Sequence, residues 1–295
     1  MIYKQRGVIV KRIGRCIITA LIILLFLVGA FIFAFPYVSE HIHSKSQTRV
    51  IESFNESIKA VDDSYLEELI KAAREYNDVL RKNLQRFYLS EHDLKQYHNM
   101  LRVNNETIEG VIGSLDIDRI GINLPIYRGT DDVTLRIGVG HIEGTSLPVG
   151  GIGTHTVLTG HRGLHTAKLL TDIDRMEVGD IFVISTLNLR MYYETDRIVI
   201  AAPDDFSDIM ICPDNDYATL LTCTPIGINT HRLLVRGIRI PDEQASEIIF
   251  TLEKYQLSII DYIKICLLFI SLLLLIILLF ILKKRMKSNK NVRCK

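Results

Sequence analysis

Two apolar stretches bracket this chain and constrain where everything between them can lie. Residues Cys16 to Phe35 form an uncharged run of about 20 residues, and a helix of that length, rising ~1.5 Å per residue, crosses a ~30 Å hydrocarbon core. Lys4, Arg6, Lys11, Arg12 and Arg15 precede it and Glu40 follows, a charge bias that puts the N-terminus on the cytoplasmic side. The second run, Ile265 to Leu282, stands between Lys264 and Lys283-Lys284-Arg285. Its stronger basic flank is C-terminal, so the tail is expected inside as well and the middle of the chain outside. A cleaved signal peptide is the competing reading of the first run. The run is longer than a usual signal core, and Phe35-Pro36 follows Ala34 where a small-residue cleavage site is wanted, so an uncleaved anchor is favoured.

Between the two runs the texture changes once. From Tyr37 to Glu109 there is neither glycine nor proline, which suits helix. Phe54, Ile58, Val61, Tyr65, Leu69, Ala73, Tyr76 and Leu80 recur at helical spacing, and Ser90 with Asp93 reads as a cap opening a second helix through Leu101. Beyond Gly110 the pattern alternates. Val111, Gly113, Leu115 and Ile117, then Ile122, Leu124 and Ile126, then Asp180 to Ser185, Leu189 to Tyr193 and Arg197 to Ala201 read as short strands. Ala167 to Met176 is the one helical insert expected among them. Many short strands with little helix call for a closed or nearly closed β-barrel. The expected division is a basic N-terminus 1–15, a span 16–36, a helical stalk 37–109, a β domain 110–241, a connector 242–264, a second span 265–282 and a basic tail 283–295.

Chemistry concentrates at one strand end. Ala218 to Thr222 is apolar and β-branched, and it ends on Cys223, with Pro225 and Gly227 close behind. The chain resumes as a strand at Arg232, so a short loop returns the backbone beside the thiol. A thiol needs a positive neighbour to act as a thiolate at neutral pH, and acyl transfer needs a donor for a developing oxyanion; Arg232 suits either need. Among nine histidines, His161 in Thr159-Gly160-His161-Arg162-Gly163 is the best proton carrier, because it follows a β-rich run and glycines leave room for a substrate. His231, beside Arg232, is the alternative.

Thr219-Leu220-Leu221-Thr222-Cys223 with Arg232, and Thr159-Gly160-His161-Arg162-Gly163 upstream, resemble the motifs of sortases, the cysteine transpeptidases of Gram-positive surfaces. The wider match runs from Gly140-His141-Ile142-Glu143-Gly144-Thr145-Ser146-Leu147-Pro148 to Arg236-Gly237, and is similar to the pilus-assembling branch, class C. The resemblance implies an eight-stranded sortase-like closed barrel, so the fold expected is mainly β, that barrel with the N-terminal helices and the two flanking transmembrane helices read above. It implies Cys223 as nucleophile, His161 as proton carrier and Arg232 as oxyanion donor; Thr222 and Thr224, which flank the nucleophile, are the candidate substrate contacts. The implied substrates are pilin or surface-protein precursors bearing Leu-Pro-x-Thr-Gly-like sorting signals. The acceptor is a pilin lysine amine or a peptidoglycan cross-bridge amine. Class C members carry a lid with an Asp-Pro-aromatic motif; Phe87-Tyr88-Leu89 stands where it falls but lacks the aspartate and proline, so the expected lid is absent or weakly held.

Other readings carry less. The net charge of +1 and the lack of a basic stripe with aromatics give no reason to invoke nucleic acid. No cofactor is implied. Gly150-Gly151-x-Gly153 fits neither nucleotide fingerprint, Asp204-Asp205 and Asp214-Asn215-Asp216 lack a calcium-loop spacing, and His141, His155, His165 and His231 lack zinc-ligand spacing. Of five cysteines only Cys212 and Cys223 fall in the middle; a disulfide between them is the alternative to a free nucleophile. A simple cysteine hydrolase and a non-catalytic extracellular receptor or adhesion module remain as rival classes.

Overall fold

The computed structural model describes residues 2–82, 89–103, 110–164 and 166–249. The chain forms two compact units, Met1–Ile240 and Pro241–Lys295. In the second, residues 242–249 are helical; the expected span 265–282 lies outside the described residues.

Helix α1 (Ile2–Lys59) runs without a break through Pro36. It is the one described helix long and apolar enough to cross a membrane, and Leu25, Phe26, Phe31 and Phe33 on it are 70–75% exposed. Its far end packs on the barrel, where Phe54 and Ile58 are buried. The stalk does not carry one continuous stripe. The chain turns at residues 60–62, and Asp62 Oδ1 accepts the Ser64 N–H at 3.3 Å to start α2 (Asp63–Lys82). The turn shifts the buried face, so Leu66 and Ile70 go inside while Tyr65, placed in the stripe by its spacing, is exposed. Helix α3 (Glu91–Asn99) opens on Ser90, whose Oγ accepts the Asp93 N–H at 3.2 Å. It ends at Asn99, two residues before the expected Leu101, which has φ 53° and is fully buried.

The eight strands are β1 (Val111–Ile117), β2 (Ile122–Arg128), β3 (Val139–His141), β4 (Thr154–Thr159), β5 (Ile181–Thr186), β6 (Leu189–Ala201), β7 (Asp216–Thr224) and β8 (His231–Ile240). They close as β1-β2-β3-β4-β7-β8-β6-β5. Two pairings, β2 with β3 and β4 with β7, are parallel. Among the described residues, closure leaves no unpaired sheet edge. Ile112, Leu115, Ile126, Leu158, Phe182 and Val235 are among the fully buried side chains of the core. The Phe182 and Tyr193 rings stack 5.5 Å apart, and Gly237 is required opposite them because a Cβ there would stand 2.6 Å from Phe182 Cε1.

Two local expectations are corrected, and one element is unexpected. Leu189–Tyr193 and Arg197–Ala201 are one 13-residue strand, bulged between Thr195 and Arg197, with Asp196 accepting two hydrogen bonds from Arg236 at 2.6 and 3.1 Å. The bulge absorbs the change of phase that made the run look broken. Ala167 to Met176 is not an α-helix but turns around a single 3-10 turn, Ile173–Arg175, because Leu169 takes φ 41°. Its apolar residues are buried all the same. Helix α4 (Asp132–Ile137) was not expected; at six residues it is too short to show a period, and Asp131 caps it through Val133 and Thr134 N–H groups.

Candidate active site

The site is assembled by strand register. In the antiparallel β7–β8 pair, Cys223 lies directly opposite Arg232, an arrangement that sets two side chains on one face with Cβ atoms ~4.5–5.5 Å apart. In the parallel β4–β7 pair, Thr159 is in register with Leu221. Two residues further along each strand stand His161 and Cys223. The register is held past the strand end, since the Gly160 N–H reaches Leu221 O at 3.3 Å and Thr222 Oγ1 donates to Gly160 O at 2.8 Å. Three adjacent strands therefore deliver an imidazole, a sulfur and a guanidinium in that order. Cys223 and Cys212 are both free thiols, so the disulfide alternative does not form here.

His161 is anchored from behind, its carbonyl accepting the Leu170 N–H at 3.2 Å. Its Nε2 lies 3.7 Å from Asp132 Oδ1 on α4. Arg136, hydrogen-bonded to that carboxylate at 2.8 Å, is the larger cause holding the Asp132 carboxyl below the usual carboxylate range, and His161 adds to it. Arg162 is turned inward and its side chain is only 5% exposed. It pairs with Asp174 at 2.6 Å and donates to Thr171 O at 3.2 Å and to Thr224 Oγ1 at 3.4 Å. The neighbour of the histidine thus grips the neighbour of the thiol. Gly163, at φ 76°, completes the close approach, since a Cβ there would collide with Ile226 Cγ2.

Arg232 Nη1 donates to the carbonyls of Asn229 and His231 at 3.2 and 3.1 Å. Asn229 sits at φ 61°, a conformation that asparagine tolerates. His231 is opposite Thr224 and exposed, and the alternation of strand side chains turns it to the face away from Arg232. Thr222 and Thr224 are 1% and 9% exposed. Thr222 Oγ1 donates to Gly160 O, and Thr224 Oγ1 accepts from Arg162 Nη1. Of the expected lid, Leu89 is partly buried against the core; Phe87 and Tyr88 lie outside the described residues, as does His165.

Two other histidines are structural. His141, fully buried, hydrogen-bonds through Nε2 to Ser146 O at 2.8 Å and through Nδ1 to Tyr97 Oη at 3.0 Å. His155 meets Met210 O at 2.8 Å and Thr219 Oγ1 at 2.7 Å. Burial pushes each down to about 4, so both are neutral at neutral pH. The glycine-rich loop is occupied by the protein's own acid, Gly151 N–H donating to Asp216 Oδ2 at 2.8 Å. Among the described residues no group of three or more His, Cys, Asp or Glu side chains is arranged to hold a metal ion. Sequence reasoning missed Asp132 and the inward role of Arg162; neither has a local signal that marks it.

A β-barrel presenting a cysteine between a histidine and an arginine on three neighbouring strands defines a cysteine transpeptidase of the sortase type, and the comparisons agree. The sortase domain model matches residues 115–240. The crystal structure of sortase C1 from Streptococcus agalactiae is 39% identical, covers 66% of this chain and 99% of that one, and superposes with a TM-score of 0.63. Sortase C of Streptococcus pneumoniae is 44% identical over 65% of this chain and 97% of that one, with a TM-score of 0.58. Sortase D of Bacillus subtilis (strain 168) is 30% identical over 131 residues, which span 43% of this chain and 63% of that relative's length. The chain belongs to the sortase family of cysteine transpeptidases. Its structural neighbours named above are class C members of that family.

Proposed function

We propose that this chain is a membrane-anchored transpeptidase that cleaves Leu-Pro-x-Thr-Gly-like sorting signals between Thr and Gly and joins the acyl product to a pilin lysine amine. The observation that carries this is the register just described, with Cys223 opposite Arg232 and in step with His161. The Cys223 thiolate attacks the Thr carbonyl carbon, and the C=O electron pair moves to oxygen, where the Arg232 guanidinium stabilises it. As the tetrahedral species collapses the C–N bond breaks, and protonated His161 gives its proton to the departing glycine amine. A thioester on Cys223 remains. The incoming amine then attacks this thioester, loses its proton to His161, and expels the thiolate.

The acceptor is assigned to pilin because the solved neighbours are class C, and the pneumococcal one is described for its pilin substrate specificity. Attachment to a peptidoglycan amine is the other outcome of the test. For topology, we take α1 as an uncleaved anchor, supported by its unbroken run from the apolar segment into the barrel-packed segment and by the exposure of its apolar side chains. With residues 265–282 as a second span by composition, both termini are cytoplasmic and the barrel is extracellular.

The test uses the full chain in detergent or nanodiscs with a sorting-signal peptide and separate lysine-bearing and cross-bridge-like amines. Mass spectrometry is expected to find the acyl adduct on Cys223 and an amide to the lysine. Free acid alone, with abundant amine present, identifies a hydrolase. Unchanged turnover in Cys223→Ala removes the enzyme reading altogether.

A further inference from the structure

The contacts between α1 and the barrel fix how far the active site stands from the bilayer. The last residue of the apolar run is Phe35, and the helix continues unbroken, so Glu40 is five residues, or about 7.5 Å, further along the axis. A bilayer of ~30 Å hydrocarbon thickness measures ~40–45 Å with its headgroups, which leaves about 5–8 Å of polar layer on each side. Glu40 is therefore at the outer boundary of the headgroups. Tilting the helix only lowers it.

Two bonds tie the barrel to α1 at this level. Ser39 Oγ donates to Thr166 O at 2.9 Å, and the Glu40 carboxylate accepts the Lys168 N–H. Thr166 and Lys168 belong to the segment that follows His161, and Leu170, two residues on, donates its N–H to His161 O. His161 thus lies within about 15 Å of Glu40 along this path. Seven residues further out on α1, Gln47 Nε2 donates to Ile137 O at 3.1 Å, at the end of the short helix whose first residue, Asp132, faces His161. Helix α1 braces both walls of the histidine within its first turns beyond the membrane.

An independent observation is on the other face of the same turns. Val38 and Ile42 are 57% and 62% exposed, one helical turn apart, while Ser39 and Glu40 dock on protein. By the same count Val38 stands about 4.5 Å beyond Phe35, inside the headgroup layer, and Ile42, at about 10.5 Å, reaches that layer where the helix tilts.

We infer that the His161 wall of the active site, from Thr166 to Lys168, lies against the outer headgroup layer of the bilayer. The surface beside the cleft has lipid as its partner, and substrates are taken at headgroup height, from peptides themselves held at the membrane. This rests on the anchor reading of α1 and on the transpeptidase reading of the site.

The test places a fluorescent amino acid at Thr166, whose contact to α1 is through its backbone, in the full chain. The protein is reconstituted into nanodiscs of phosphatidylcholine and phosphatidylglycerol containing a lipid with a headgroup nitroxide. A second variant carries seven extra helix-forming residues between Tyr37 and Val38, two turns that lift the barrel by about 10 Å with little rotation. Quenching at position 166 is expected to be at least threefold stronger in the parent than in the lifted variant. Equal quenching in the two overturns the inference. On a soluble sorting-signal peptide both chains are expected to turn over equally, whereas on a membrane-tethered peptide the lifted variant is expected to fall about tenfold; no fall there overturns the headgroup-height delivery. Absence of turnover on either peptide by the parent counts against the transpeptidase reading, and the quenching ratio still decides the height.

Discussion

The imidazole Nε2 of His161 lies 3.7 Å from the Oδ1 of Asp132, a carboxylate delivered by a helix of six residues between β2 and β3. Under the proposed reaction this sets a carboxylate beside the ring that carries the proton. The carboxylate is exposed and shared with Arg136, and exposed charge pairs are weak.

Asp132→Asn is accordingly expected to lower kcat by less than about fivefold, with KM for a soluble peptide unchanged. Steady-state kinetics at low and high salt check this, the difference between the parent and the variant shrinking at high salt. A loss of a hundredfold would mean the carboxylate touches the reacting atoms.

Arg162 is a heavier support. Its side chain is nearly buried, and its three partners, Asp174, Thr171 and Thr224, span the segments that carry His161 and Cys223. Arg162→Met is expected to cost about 1–3 kcal/mol of stability, below the full figure for a buried pair because Asp174 is half exposed. Denaturant unfolding measures it. The same variant is expected to lose activity beyond its loss of folded fraction, since the side-chain tie between the histidine and thiol segments is lost and only the Gly160 contacts remain.

Tyr97 pins α3 to the barrel. Its hydroxyl meets His141 Nδ1 at 3.0 Å and accepts the Gly129 N–H at 3.0 Å, in a site with no solvent exposure. Tyr97→Phe leaves the Gly129 N–H, His141 Nδ1 and His141 O without this partner, and the expected cost is about 2–3 kcal/mol. Hydrogen exchange should report early opening of residues 91–99.

Stability should fall in acid. His141 and His155 are held down to about 4 by burial, against about 6.5 when unfolded. Between those values the unfolded chain binds more protons than the folded one. The stability present above pH 6.5 is therefore lost as pH falls towards 4, by up to about 3 kcal/mol for each histidine. Asp116 and Asp216, raised by burial, work in the opposite direction. Urea unfolding from pH 7.5 to 5 is expected to give a declining midpoint, and His155→Gln a shallower decline.

Local pattern made much of this protein legible. Alternation in Val111 to Ile117 and the Cys223–Arg232 turn needed only neighbours in sequence, because strand period and turn chemistry are properties of a few consecutive residues. Ser90 announced its helix for the same reason. The bulge at Asp196 and the left-handed Leu169 went unread, because each is held by contacts with distant residues.

The residue types able to do acyl transfer, and the apolar run able to hold them at a membrane, were determined by the amino-acid sequence alone. That the Gly160 and Thr222 segments, 62 positions apart, lie side by side was decided only by tertiary structure. A β4 strand has no local preference for β7 over any other edge; the pairing follows from closing eight strands around one shared core. The Asp132 carboxylate beside His161, and the contacts of Ser39 and Glu40 with the same loop, depend on that closure too.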